Sequence, residues 1–205
     1  MARATVALDG LRIVPANEAS WDDVQDLFGR RGDAARCQCQ HWKIQHRGIR
    51  SVPTEERREL LRVQSACGEP DATETTGLVA YLDDLPVGWC AVEPRPAYPR
   101  LKGSPVPWSG RDEDPHDEGV WAVTCFFIRI GYRRRGLSYA LTAATVDFAR
   151  ERGARALEGY PMATRPGQEI TWGELYVGHR SAFAAAGFKE VSRPTLRRRV
   201  MRIDF

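Results

Sequence analysis

The stretch YRRRGLSYAL, residues 132–141, constrains this chain most, because it stands directly after the apolar run GVWAVTCFFI at 119–128. The run is continuous enough for a strand buried on both faces, and the residues after Gly136 have the apolar spacing of a helix. The order is therefore strand, short basic turn, helix. The first amides of a helix have no intrahelical acceptors, and the helix dipole adds partial positive charge there. A glycine at the turn allows an anion close to the backbone, so the junction suits a phosphate. A nucleoside-triphosphate loop would be the rival use. It requires Gly-x-x-x-x-Gly-Lys-Ser/Thr, which this sequence lacks.

Composition narrows the class of partner. A chain of 205 residues, 42% hydrophobic, can bury one substantial core or at most two small ones. With 28% charged residues and a net charge of only +3, neither disorder nor bulk nucleic-acid binding is indicated. Lys43, Lys102 and Lys189 are the only lysines among 30 basic residues, so arginine is a compositional bias and most arginines need no ligand. Cys37, Cys39, Cys67, Cys90 and Cys125 make an odd set with two members in apolar strands, which is not a disulfide framework. No window has the roughly 18 apolar residues of a membrane span, and the N-terminus does not read as a signal peptide. A reducing cytoplasm, with no membrane partner, is the expectation.

Along the chain, LRIV at 11–14 reads as a strand ended by Pro15, and Ser20 as the cap of a helix carrying Trp21, Val24, Leu27 and Phe28. Residues 30–48 read as irregular, and Pro53-Thr54 opens a second helix that Gly68 stops. LVAYLD and PVGWCAVEP flank Asp83-Asp84 as a hairpin, and the proline-rich stretch 94–118 reads as a long loop. A helix is predicted over about 136–152 and a strand at 156–161. A short helix follows at about 178–186, then two closing strands. With no repeat and no linker, one α+β domain over residues 1–205 is the simplest organisation.

These residues resemble a known family. Tyr132-Arg133-Arg134-Arg135-Gly136-Leu137-Ser138 between a strand and a helix is similar to motif A of the GNAT superfamily of acyl-CoA-dependent N-acetyltransferases, Arg/Gln-x-x-Gly-x-Gly/Ala. Arg133 and Gly136 match, and Ser138 takes the last small position. The resemblance extends over nearly the whole order of elements, down to AAAGFKEV (184–191), which resembles the family's approach to its sixth strand. CQCQHW (37–42), VGWCAVEPR (87–95) and VWAVTCFFI (120–128) also resemble a bacterial subgroup. It implies a mixed, mostly antiparallel twisted sheet flanked by helices, and acetyl-CoA as co-substrate. Its pyrophosphate would rest on the amides of Arg134, Arg135, Gly136, Leu137 and Ser138, with Arg133 nearby. The pantetheine arm would run beside the backbone of Phe126, Phe127 and Ile128. A homodimer is common in such enzymes.

The implied reaction moves acetyl to a primary amine by direct attack. It needs the ammonium deprotonated, the oxyanion held, and the departing thiolate met by a proton or donor. The family's tyrosine near the sulfur is replaced here by Phe183, which leaves Tyr176, His179 and Tyr160 as candidate donors. The family's glutamate in the central strand falls near Ala122, which leaves Glu158, and secondarily Glu118, as candidate bases. Glu158 could equally be a salt-bridge partner for an arginine. Cys125 in the central strand reads as core and not as a nucleophile.

Cys37, Cys39 and His41 alternate, and in an extended segment would face one way. Cys-x-Cys without a second pair is not a zinc spacing, however, and a fourth ligand would have to be Cys67 or His46. No metal is expected. By family position this segment walls the acceptor pocket, which makes His41, Trp42 and His46 candidate substrate contacts. The acidic segment RDEDPHDE (111–118) could attract a cationic acceptor such as a polyamine, aminoglycoside or lysine, or could simply be solvated surface. The acceptor is expected to be a small-molecule amine, with a protein lysine or N-terminus as the alternative and a non-catalytic acyl-CoA sensor as the competing class.

Overall fold

The computed structural model describes residues 8–45, 48–164, 170–171 and 173–205. Its seven strands are β1 (Leu11–Pro15), β2 (Gly77–Leu82), β3 (Leu85–Pro94), β4 (Val120–Ile128), β5 (Ala156–Gly159), β6 (Lys189–Ser192) and β7 (Val200–Asp204). They form one sheet in the order β1-β2-β3-β4-β5-β7-β6. All neighbours are antiparallel except β4 and β5. The helices are α1 (Trp21–Phe28), α2 (Gly32–Cys37), α3 (Thr54–Ser65), α4 (Pro105–Trp108), α5 (Leu137–Glu151) and α6 (Arg180–Ala185).

Local chemistry sets these elements as expected. The Ser20 side chain accepts from the Asp23 amide at 3.0 Å and caps α1, a bond worth about 1 kcal/mol. Asp83 and Asp84 both take positive φ (49° and 63°), the two-residue turn whose twist matches a hairpin. Two stretches differ from the expectation. Residues 30–48 contain α2, and the proline-rich stretch contains α4 with short 3-10 turns.

Alternation along the strands divides the core. Leu78, Ala80, Cys90, Val92, Val123 and Phe126 face α5 and α6. Val79, Tyr81, Trp89 and Ala91 face α1 and the segment after α2, where the buried Trp89 Nε1 donates to Cys39 Sγ at 3.3 Å. Phe183 is fully buried between Phe126 and Phe188, with ring centroids at 6.0 and 5.0 Å. A methyl group on Gly159 would lie 2.0 Å from the Phe183 ring, so that glycine makes room for the aromatic. Phe183 is therefore part of the core.

Candidate active site

The site begins where two strands part. β4 and β5 pair in parallel only from Val120↔Ala156 to Val123↔Gly159. On its other edge β4 pairs with β3 through Ile128, with a bulge at Thr124 between the Ala91↔Cys125 and Val92↔Val123 rungs. A bulge bends its strand and re-aims the residues after it. Residues 124–128 thus keep one partner and lose the other. Beyond the parting, Met162 bridges His179 and Arg198. The Met162 amide donates to the Gly178 carbonyl at 3.0 Å, and the Arg180 amide to the Met162 carbonyl at 2.9 Å. The cleft therefore has β4 on one side and the chain from Gly178 to Arg180 on the other. Phe126 is buried, while Phe127 and Ile128 are half-buried.

The basic turn closes the end of this cleft. Arg134 has φ 63° and Gly136 φ 90°, so the chain reverses through two left-handed residues before α5 starts. Among the described residues, the amides of Arg134, Arg135, Gly136, Leu137 and Ser138 donate to no backbone carbonyl. Nothing lies within 4 Å of a methyl placed on Gly136. Five consecutive free donors over open space, at the N-terminus of a 15-residue helix, fit a pyrophosphate. Arg133 Nε donates to the Ile128 carbonyl at 3.1 Å and so ties the turn to β4. The Arg135 guanidinium lies 4.9 Å from the centre of the Tyr132 ring, and Arg134 is exposed. Leu137 is buried beneath the turn, and Ser138 Oγ lies 3.1 Å from His179 Nε2.

At the far end of the cleft stands Tyr176, edge-on to His41 at 5.6 Å, and His41 in turn is edge-on to Trp42 at 4.9 Å. Burial pushes the Tyr176 phenol up to about 12, with nearby Arg198 opposing the rise. Burial, then the Arg100 charge, holds His41 below the ordinary imidazole value, and burial does the same to His179. A cavity of about 320 Å³ is lined by Met162, Gly173, Glu174, Tyr176, Arg197 and Arg198. His46 lies outside the described residues.

Other candidates meet different surroundings. Glu158 is fully buried, and its Oε1 accepts from Arg202 at 2.9 Å and also from Arg111, while Arg95 stands 3.4 Å from Oε2. Against the effect of burial, these arginines hold its carboxyl below the usual range. Tyr160 is 2% exposed, and its hydroxyl donates to Glu158 Oε2 at 3.1 Å. An enclosed, fully paired carboxylate makes a poor base, and a phenol bonded to it makes a poor donor to the cleft.

The acidic segment is occupied in the same way. Glu113 pairs with Arg95, Arg111 and Arg202, Asp117 pairs with Arg155 at 2.5 Å, and the Asp114 carbonyl accepts from Arg95 at 2.5 Å. The expectation that this segment draws a cationic acceptor is corrected, because its main charges neutralise the chain's own arginines. The alternation of Cys37, Cys39 and His41 is also undone. Gln38 and Cys39 have φ 48° and 56°, so the segment is coiled and not extended. Among the described residues no group of three or more His, Cys, Asp or Glu is arranged to hold a metal. Cys125 is pushed well up by its hydrogen bond with Cys39 and by burial, which keeps the thiol protonated.

The free amides, the parted strands and the mixed sheet together define an acyl-coenzyme A transferase fold. A family model described as the acetyltransferase (GNAT) family matches residues 40–164. The chain belongs to that family, and its co-substrate is acetyl-CoA. Among solved structures, it is similar to yncA from Salmonella typhimurium, determined with its cofactor acetyl-CoA, at 14% identity and TM-score 0.54 over 96% of this chain and 94% of that one. A GCN5-related N-acetyltransferase from Kribbella flavida matches at 16% identity and TM-score 0.53, covering 96% of this chain and 99% of that one. Ribosomal-protein-alanine N-acetyltransferase from Brucella melitensis matches at 15% and 0.51, with 95% and 99% covered. At these identities the likeness speaks for the fold. No match was found among curated proteins. Among the described residues no helix is long and apolar enough to cross a membrane.

Proposed function

We propose that the chain transfers acetyl from acetyl-CoA to the primary amine of a small molecule by direct attack. The observation that carries this is the run of five free amides at 134–138 opening onto the unpaired edge of β4. In this reading the amides and Arg133 bind the pyrophosphate, and the backbone of 126–128 orients the pantetheine arm. Backbone donors along 125–128 face the developing oxyanion.

Tyr176 serves the leaving group. With a pKa of about 12 it is a weaker acid than a thiol, so it keeps its proton and stabilises the thiolate by a hydrogen bond. His179 braces the turn through Ser138. Glu158 and Tyr160 are structural, held in the arginine cluster. The acceptor's proton passes to solvent through the open cleft, and His41 and Trp42 wall the acceptor side.

The hollow beside Tyr176, about 320 Å³, is of a size to take a small acceptor. Acetyl-CoA turnover against a broad amine panel, with products identified by mass, tests the reading. Acetylated small amines are expected. Coenzyme-induced stabilisation with no product from any amine would overturn it in favour of a sensor.

A further inference from the structure

Resting on that acetyl-transfer reading, we infer that the acceptor amine carries a carboxylate, held by Arg198 with the help of Arg100. Arg198 lines the cavity beside Tyr176, and its Nη2 donates to the Tyr160 carbonyl at 2.8 Å. Its Nε is enclosed without a partner. Among the described residues no carboxylate pairs with it, whereas its neighbour Arg197 pairs with Glu174 at 2.7 Å. Arg100, whose charge also reaches Tyr176, likewise pairs with no acid among the described residues. Its Nη1 donates to the His41 carbonyl at 2.6 Å, its guanidinium lies 5.9 Å from the Trp42 ring, and no acid among the described residues faces it.

Arg198 is set apart by lacking an acid among the described residues while lining the cavity beside Tyr176. Around the sheet, enclosed cations are matched by acids: Arg95, Arg111 and Arg202 by Glu158 and Glu113, Arg199 by Glu190, and Lys43 by Glu93 at 2.6 Å. Buried Arg57 of α3 also pairs with no acid among the described residues, but it does not line that cavity and donates to the Ile49 carbonyl and the Thr54 hydroxyl. A desolvated cation without a counter-charge is costly, so one retained in a binding cavity calls for an anion from the ligand. Trp42 Nε1, which can only donate, is also enclosed and unpartnered. The acceptor end thus has donors in excess and few free acceptors. A planar guanidinium matches a carboxylate with two parallel bonds. A lysine within a protein has its own carboxyl tied up in a peptide bond, so the charge balance points to a free amino acid.

The test measures acetylation of leucine, phenylalanine and glutamate, each against its amide and its decarboxylated amine, at saturating acetyl-CoA. The acids are expected to exceed their neutral partners by about 10- to 100-fold in kcat/KM, the worth of charge-assisted bonds. Arg198→Gln should erase that margin by raising KM for the acids alone, and Arg198→Lys should restore part of it. Unchanged stabilisation by coenzyme A would show that each variant still folds. Equal rates for acids and amides, a margin that survives Arg198→Gln and Arg100→Gln together, or preference for a peptide with an acidic second residue would each overturn the inference while acetyl transfer stands. Bound coenzyme with no amine acetylated would instead overturn the transfer reading beneath it.

Discussion

The Oγ of Ser138 lies 3.1 Å from Nε2 of His179, whose Nδ1 lies 2.9 Å from the Ser181 hydroxyl. One imidazole thus joins the second residue of α5 to the first turn of α6 across the cleft. Burial holds His179 below its ordinary value, so at neutral pH the ring is uncharged and can donate at one nitrogen and accept at the other. His179→Ala should therefore loosen the coenzyme turn. The expected result in steady-state kinetics is an acetyl-CoA KM raised about 5- to 10-fold, from the loss of about one hydrogen bond, with the shape of the kcat–pH profile unchanged.

Gly136 has φ 90° and open space where its side chain would be. Gly136→Glu would place bulk and negative charge in that space and strain the turn. Thermal unfolding should show a folded protein whose melting temperature no longer responds to coenzyme A. An undiminished response would remove the turn from the site.

Tyr176→Phe removes the hydrogen bond offered to the leaving thiolate without changing the shape of the wall. A fall in kcat of about 10- to 100-fold is expected, with the acetyl-CoA KM little changed. Because the phenol is raised to about 12, wild-type activity should show no alkaline loss from this group below pH 10. An alkaline limb near pH 9 that disappears in the Phe variant would contradict that assignment.

Much of this architecture is written locally, and so it was legible in the sequence. Ser20 caps its helix by its own side chain, Asp83-Asp84 forms its own turn, and the basic turn carries its free amides in five consecutive residues. The surroundings of Glu158 were not legible, because Arg95, Arg111 and Arg202 come from 63, 47 and 44 residues away. The coiling at Gln38 and Cys39 was hidden for another reason. Neither residue type announces a left-handed conformation, which tertiary packing imposes here. Arg198 was masked by its own neighbours. Among the four arginines at 197–199 and 202, nothing in the letters shows which one is left without an acid.

Glu158→Gln leaves Arg95, Arg111 and Arg202 without their shared buried charge. A loss of about 3–5 kcal/mol in chemical denaturation is expected. The carboxyl is depressed in the folded state, so its stabilisation is present above the unfolded value of about 4.3 and fades as pH falls through the lower folded value. The Gln variant should show a shallower acid-side loss of stability than the wild type over that window.

Direct attack predicts intersecting initial-velocity patterns and no acetyl group on the protein. The raised Cys125 thiol, half-buried and hydrogen-bonded to the free thiol of Cys39, has little thiolate to offer. Intact-mass measurement after mixing with acetyl-CoA should find the chain unmodified. Stoichiometric acetylation at Cys125 would establish a two-step route instead.

The short seam between β4 and β5 also has a mechanical meaning. Four rungs, from Val120 to Val123, are all that β4 shares with β5 and the two strands beyond it. Past that seam the sheet is a fork with open tines, one formed by β4 and the other by the chain through Met162 and His179. A pantetheine arm lying between them would serve as a surrogate strand and supply the rungs that the polypeptide omits. The coenzyme then braces the fold as well as feeding the reaction, and its departure after each turnover leaves the fork free to spread.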